Sequence, residues 1–535
     1  MSDNRNRDPR ARDGETFTRA GFLRATAVLG TGIIATTAGI GCGSGGGTGT
    51  SATSAVAGRP RVGGTFRVGV SGTGSSETAD ANVFVNRSDA VRMNNIYAQL
   101  VDGWSPRLGV HYDLAEEITP NPDGTVWTIR LVEGAEFHNG KTVSADDVIF
   151  TLRRIIGKKT LVASHIAYVD PNRLRKLDDR TVRLTLKTPT GLLREGLMEI
   201  GTGIVPVGYD PRHPVGAGPF KLTSFAKGQR TVLTRFENFH GDGPYFDEVV
   251  IIDFDDDAAR VNAMVSREVD AIEQVPAAQV RVLQGTQGVK LVRSNTGSPM
   301  LFTMRTDSAP FQDVRVRQAM RLIADRPQLI AQSLAGYGSI GNDVMASHYD
   351  PDYASDLPQR HQDLAQAKSL LASAGQSDLR VELATAPIAA GYVQAAQVLA
   401  QQAKAAGVTV SVRTLDNQSF NAGYLRWAFA PDTYSVHPYL TDAQLFLVPG
   451  GVVNPTHWDD KEFRSILANA SKETDSAKRS DMTKQLQRIE YERGGNLVWG
   501  FPDIFDAVAS NVQGFVPDPY GLGFDGYDFK RGWFA

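Results

Sequence analysis

Residues 131–154 read LVEGAEFHNGKTVSADDVIFTLRR, and within that run a strand end, a turn and a helix start follow one another. Asn139-Gly140 is a turn pair, because both residue types tolerate positive φ at little steric cost. Ser144 stands three residues before Asp147, the spacing at which a hydroxyl and a carboxylate satisfy the unpaired N–H groups of a helix start. Val148, Leu152 and Ile155 then recur at i, i+4 and i+7, so the segment predicts a capped helix with one apolar face. Asp147, Thr151 and Arg154 fall elsewhere, and the charged residues of the segment read as a cap and a solvated face.

Trp127, Ile129, Leu131, Phe137, Gly140, Ala145, Asp147 and Val148 together resemble the signature of the family 5 extracellular solute-binding proteins, the peptide- and nickel-binding receptors of ABC importers. The resemblance runs from about residue 62 to the C-terminus. Residues 63–70 alternate as a strand and match the opening strand of that family. Val215-Gly216-Ala217-Gly218-Pro219-Phe220-Lys221-Leu222 matches a second motif, read here as a structural crossover in which glycines turn the backbone tightly. Phe311 to Ala319, followed by Ala324-Asp325-Arg326, and Gly514-Phe515-Val516-Pro517 match two more.

The resemblance implies an α/β, two-lobed fold like that of periplasmic binding proteins (class II, cluster C type) with an additional inserted small domain. The expected division is 1–41 signal peptide, 42–60 flexible tether, 61–110, 208–278 and 500–535 first lobe, 111–207 small domain, and 279–499 second lobe. Residues 379–412 support the class independently: an alternating segment, a helical one ending at Gly407 and another alternating one make a βαβ unit.

Composition narrows the function. At 535 residues, 41% hydrophobic and 21% charged, the chain is too long for one core, and two or three domains are expected. A net charge of -3 with scattered Lys and Arg argues against nucleic acid as a partner. The one cysteine excludes an intrachain disulfide and a cysteine-rich zinc site. No H-E-x-x-H, G-x-S-x-G or complete phosphate loop is present, and the nine histidines show no metal spacing. The expectation is therefore a binding protein rather than an enzyme, without cofactor or metal.

An uncharged run from residue 25 to 41 reads as an export signal, and Cys42 directly after it looks like the lipid-attachment site of a bacterial lipoprotein. The Gly/Ser/Thr-rich stretch that follows is a tether. These features place the mature chain outside the cytoplasmic membrane, held on its outer face by lipid, with the general secretory and twin-arginine routes both open.

The family's mechanism implies two lobes that close on a small solute, peptide or otherwise polar, by hinge motion. The loaded monomer would then meet a membrane permease complex. Receptors of the same fold serving as sensors or chaperone-like modules are the alternative. In peptide-binding members an aspartate four residues before a proline pairs with the peptide's amino group; here Pro438 is the matching proline and Tyr434 stands in the acid's place. The segment 427–438 is still the expected ligand wall, with Trp427, Tyr434 and His437 as contacts and Asp432 as the substitute acid. Asn82 is expected to approach the ligand from the first lobe.

Overall fold

The computed structural model describes residues 59–535 apart from 73, 84–85, 106–108, 159 and 435; the export run, Cys42 and most of the tether lie outside the described residues. A ten-stranded mixed sheet is the spine of the molecule. In one half, strand Thr65–Ser71 pairs in parallel with Glu248–Phe254 and Ala271–Ile272, as connections through helices require. In the other half, Met300–Met304 pairs antiparallel with Phe429–Thr433.

One strand belongs to both halves. Asn496–Ala509 pairs with Met300–Met304 through residues 496–500 and with Val289–Asn295 through residues 503–509. Its side chains enter separate cores: Trp499 and Val498 join the two clusters of the second half, while Phe505 and Val508 join those of the first. The partner crossing is at residues 296–299. The two crossings are laced together where the Thr296 hydroxyl donates to the Pro502 carbonyl at 2.7 Å.

A four-stranded antiparallel sheet, in the order Ala115–Pro120, Val126–Leu131, Thr181–Leu186, Val169–Asp178, forms a separate layer with its own core. The helix predicted to open that stretch spans Ala145–Gly157, and Val148, Leu152 and Ile155 are fully covered. Ser144 caps it, its N–H and hydroxyl donating to the Asp147 carboxylate at 3.0 and 2.7 Å. Glu133, Lys141, Asp146 and Arg153 are exposed, as expected of a solvated face, whereas two charges point elsewhere. Asp147 is buried and also accepts from the Val207 N–H at 2.8 Å, and Arg154 reaches across to Asp80 and Asn82 of the first half. Arg154 thus ties this layer to its neighbour.

The glycines of 215–222 serve close approach rather than a positive φ. A Cβ on Gly216 would sit 1.9 Å from the Ile96 carbonyl oxygen, and one on Gly218 2.6 Å from its carbon. Backbone meets backbone here, at the end of helix Arg87–Ile96, and Gly218 N–H donates to Ile96 O at 2.9 Å.

In the second half, helix Val314–Ile323 is capped by Asp313 and buries Val316, Met320 and Ile323. Its arginines are inside too. Arg317 and Arg321 both donate to the Gly494 carbonyl, at 3.0 and 2.8 Å, with further bonds to the carbonyls of Arg493 and Tyr491. They satisfy the open C-terminal end of helix Ser476–Arg493, where the dipole favours positive charge. The predicted βαβ unit is present: Arg380–Thr385 and Thr409–Thr414 pair in parallel around helix Tyr392–Ala405. None of the helices among the described residues is long and apolar enough to cross a membrane.

Candidate ligand cleft

Between the halves lies a cleft of about 2040 Å³. Its floor is the pair of crossings, with Thr296, Ser298, Pro502 and Asp503 facing it. The walls come from Arg87, Ala90 and Asn94 on one side, Thr433, Tyr434, Val436 and His437 on the other, Met198 to Ile200 of the small layer, and Val516 to Leu522 near the C-terminus. Such a volume exceeds the roughly 300–1,000 Å³ of drug-sized sites.

Of the residues expected to contact a solute, Tyr434 and His437 line this cleft, whereas Trp427, Asp432 and Asn82 are set back from it. Trp427 packs against Phe420, ring to ring at 6.0 Å, and its indole N–H donates to the Phe420 carbonyl. It belongs to the side of the second lobe's core away from the cleft. Asp432 is 1% exposed. Its carboxylate accepts the hydroxyls of Tyr424 and Tyr434 at 2.8 and 2.9 Å and the Thr433 N–H at 3.0 Å. A buried carboxylate is stable when so provided with donors, and here the donors come from the protein. Asn82 is buried, donating to the Gly201 carbonyl at 2.7 Å and accepting from Arg154 at 2.5 Å; it joins the small layer to the first lobe. The split within 427–438 follows burial: strand Phe429–Thr433 is covered from Phe429 through Asp432, and the side chains that line the cleft begin at Thr433.

Tyr434 borders the cleft from within the second lobe's core, 3% exposed. It stacks on Phe446 at 4.1 Å with 17° between the rings, its hydroxyl turned away to Asp432.

His437 bonds the Asp442 carboxylate through Nδ1 at 2.8 Å, and its Nε2 lies 4.0 Å from Glu199. Burial disfavours charge on the ring, but Glu199 and the Asp442 hydrogen bond outweigh it and hold the imidazolium up to a pKa of about 9. Opposite, His165 sits 3.7 Å from the same Glu199 carboxylate, and burial lowers its pKa, with Glu199 only partly opposing. His165 and Glu199 carry no sequence signal: they are 34 positions apart, reckoned from 165 to 199, and 238 or more from His437. Folding alone assembles them.

Asp518, in the segment near the C-terminus, holds the loop there by accepting the N–H groups of Tyr520 and Leu522 at 3.0 and 2.9 Å; burial, only partly offset by those bonds, raises its pKa to about 7. Across the floor Arg87 pairs with Glu273 at 3.7 Å. The cleft thus offers aromatic faces, fixed hydrogen-bonding groups and both signs of charge, without a nucleophile set beside a general base among the residues named here.

Two lobes joined by a pair of crossing strands over a deep ligand-sized cleft define a bilobal solute-binding protein. The chain belongs to the bacterial extracellular solute-binding proteins, family 5, whose middle-region model matches residues 109–450. It is 23% identical over 536 residues to the oligopeptide-binding protein AppA of Bacillus subtilis, covering 92% of this chain and 95% of that one. It is 22% identical over 454 residues to the glutathione-binding protein GsiB of Shigella flexneri, covering 78% and 86%. Among solved structures, the ABC transporter substrate-binding protein CtaP of Listeria monocytogenes aligns with a TM-score of 0.78 at 19% identity, covering 89% of this chain and 100% of that one. AppA of Bacillus subtilis, solved with a nonapeptide, aligns with a TM-score of 0.68 at 21% identity, covering 89% and 100%. These are binding proteins, not enzymes.

Proposed function

We propose that this protein captures a peptide, or a polar solute of similar size, between its lobes and delivers it to the permease of an ABC importer. The observation that supports this most directly is the cleft itself: about 2040 Å³ with walls from both lobes and the small layer, room for several residues of extended chain. Relatives named for oligopeptide and glutathione binding point to the same class. Because Asp432 is occupied by two tyrosines, it is not available to a peptide's ammonium group. The mature chain works as a monomer, divided into lobes and small domain as its sequence suggests. It is lipid-anchored through Cys42 on the outer face of the membrane.

The test is a thermal-shift screen of the purified chain against di- to pentapeptides, oligosaccharides and nickel chelates. A ligand at 100 times its Kd stabilises the folded state by about 2.7 kcal/mol. Stabilisation by peptides is expected; stabilisation by oligosaccharides alone would sink the peptide reading.

A further inference from the structure

His165 and Glu199 come from the small layer and His437 from the second lobe, yet their ligating atoms all lie within 4.8 Å of one another. From this convergence we propose that the three side chains bind one divalent ion of the zinc type, which fastens the small layer to the second lobe at one end of the cleft. The idea does not depend on which solute the cleft takes.

The donor set is right for such an ion. Two imidazoles and a carboxylate are the three protein ligands of open zinc sites, in which the fourth position is left to water or a ligand. Distances agree as well. Tetrahedral bonds of about 2.1 Å put ligand atoms about 3.4 Å apart, against 3.7 Å from His165 Nδ1 to Glu199 and 4.0 Å from His437 Nε2 to Glu199. Shifts of about half an ångström would bring each of those edges to length.

A supporting shell is already built. Asp442 accepts at His437 Nδ1, 2.8 Å away, which fixes the ring and aims Nε2 at the other two ligands, where the ion would displace the Nε2 proton to solvent; metal-bound histidines are oriented by this kind of carboxylate. Asp442 itself is buried, on helix Tyr439–Phe446, so its position is set by the fold. The seam beside the site is also closely fitted, with Gly191 N–H donating to the Ser471 carbonyl at 2.8 Å and the Thr190 hydroxyl to the same oxygen at 3.1 Å. All three ligand residues face the cleft, so the remaining coordination position opens toward a bound solute.

Structural zinc closes both ends of a link, and here the link would be between parts of the chain that solute entry must separate. An ion at this place would favour the closed arrangement and weaken the dependence of closure on solute.

The experiment titrates zinc into the purified chain carrying Cys42→Ser, which removes the one thiol, and reads stoichiometry by calorimetry and the ligand shell by zinc X-ray absorption. One ion per chain with a shell of two imidazoles and oxygen is expected. Asp442→Asn should weaken binding about 10–100-fold, and His165→Ala, His437→Ala and Glu199→Gln at least as much. Glu199→Gln keeps the side chain's shape, so it carries the test if a histidine variant fails to fold, which the unfolding midpoint in EDTA reports. No zinc bound at 100 times the protein concentration, or binding that all of these variants leave unchanged, would overturn the proposal.

Discussion

Asp432 is where the reading of the site can be broken most cleanly. Its carboxylate accepts three hydrogen bonds, from Tyr424, Tyr434 and the Thr433 N–H, and it does not reach the cleft. Asp432→Asn keeps the shape but replaces one acceptor oxygen by an amide donor. The carbonyl can retain the two hydroxyls, which leaves an NH2 group facing the Thr433 N–H. Losing that bond and setting donor against donor costs about 1–3 kcal/mol. Asp432→Ala removes both acceptor oxygens, and with them all three bonds, and leaves the Tyr424 and Tyr434 hydroxyls without this partner, for about 3–5 kcal/mol. The assay pairs urea unfolding with titration of whichever solute stabilises the wild type. Stability should fall in that order, while affinity for the solute changes less than about threefold, or under about 0.7 kcal/mol. Tyr434→Ala is the counterpart, because it removes the stacked ring from the cleft wall: affinity should drop at least tenfold. An Asp432→Asn protein with wild-type stability and no affinity for a peptide that binds the wild type would refute the placement, and would make Asp432 the ammonium partner after all.

Three further outcomes follow from the interior. Gly216→Ala must displace backbone, since the new Cβ meets the Ile96 carbonyl oxygen at 1.9 Å; a loss of about 3 kcal/mol in chemical unfolding is expected, and an unchanged midpoint would contradict the packing. Glu490 is buried against Tyr439, and burial, only partly opposed by the bonds from Tyr439 and the Met345 N–H, raises its pKa from 4.5 to about 8. The folded state holds that proton more tightly, so its stabilising effect is full below pH 4.5 and is lost as pH rises to about 8. Glu490→Gln should therefore flatten the decline in unfolding free energy between pH 5 and 8 by a few kcal/mol relative to wild type, and parallel profiles would refute it. Arg326 grips Asp343 with both contacts at 2.7 Å, both residues buried. Arg326→Met leaves a buried carboxylate with only Arg360, at 3.1 Å, and should cost about 3–5 kcal/mol, whereas adding Asp343→Leu should recover much of it; equal losses in single and double variants would argue against the pair.

The legible parts of this chain are those whose cause is local. A cap three residues from a carboxylate and an apolar stripe announce the helices Ala145–Gly157 and Val314–Ile323, and alternation announces Thr181–Leu186. Burial of charge was not legible in the same way. Arg317 and Arg321 read as polar positions on an amphipathic helix, and only the arrival of another helix's C-terminus, more than 170 residues later, gives them carbonyls to hold. The cleft shows the same limit. Tyr434 and His437 were found because a motif led to their segment, but that motif could not tell which way each side chain of 427–438 points. Asp432 is held inside because a strand pairs there with Met300–Met304, and Trp427, ahead of that strand, packs on Phe420. His165 and Glu199 acquire their meaning from a juxtaposition that no spacing encodes.

The strand Asn496–Ala509 has a further consequence for the order in which the molecule can be made. It supplies neighbours to strands Val289–Asn295 and Met300–Met304, yet it leaves the ribosome long after them, because helices and strands from Val314 to Arg493 come between. Until it arrives, those strands present open edges, and open edges recruit strands from other chains. Neither half can complete its sheet before this strand is present, so both wait for the same segment. A chain truncated ahead of Asn496 would lose this strand and should fail in both halves at once, aggregating rather than leaving one lobe intact.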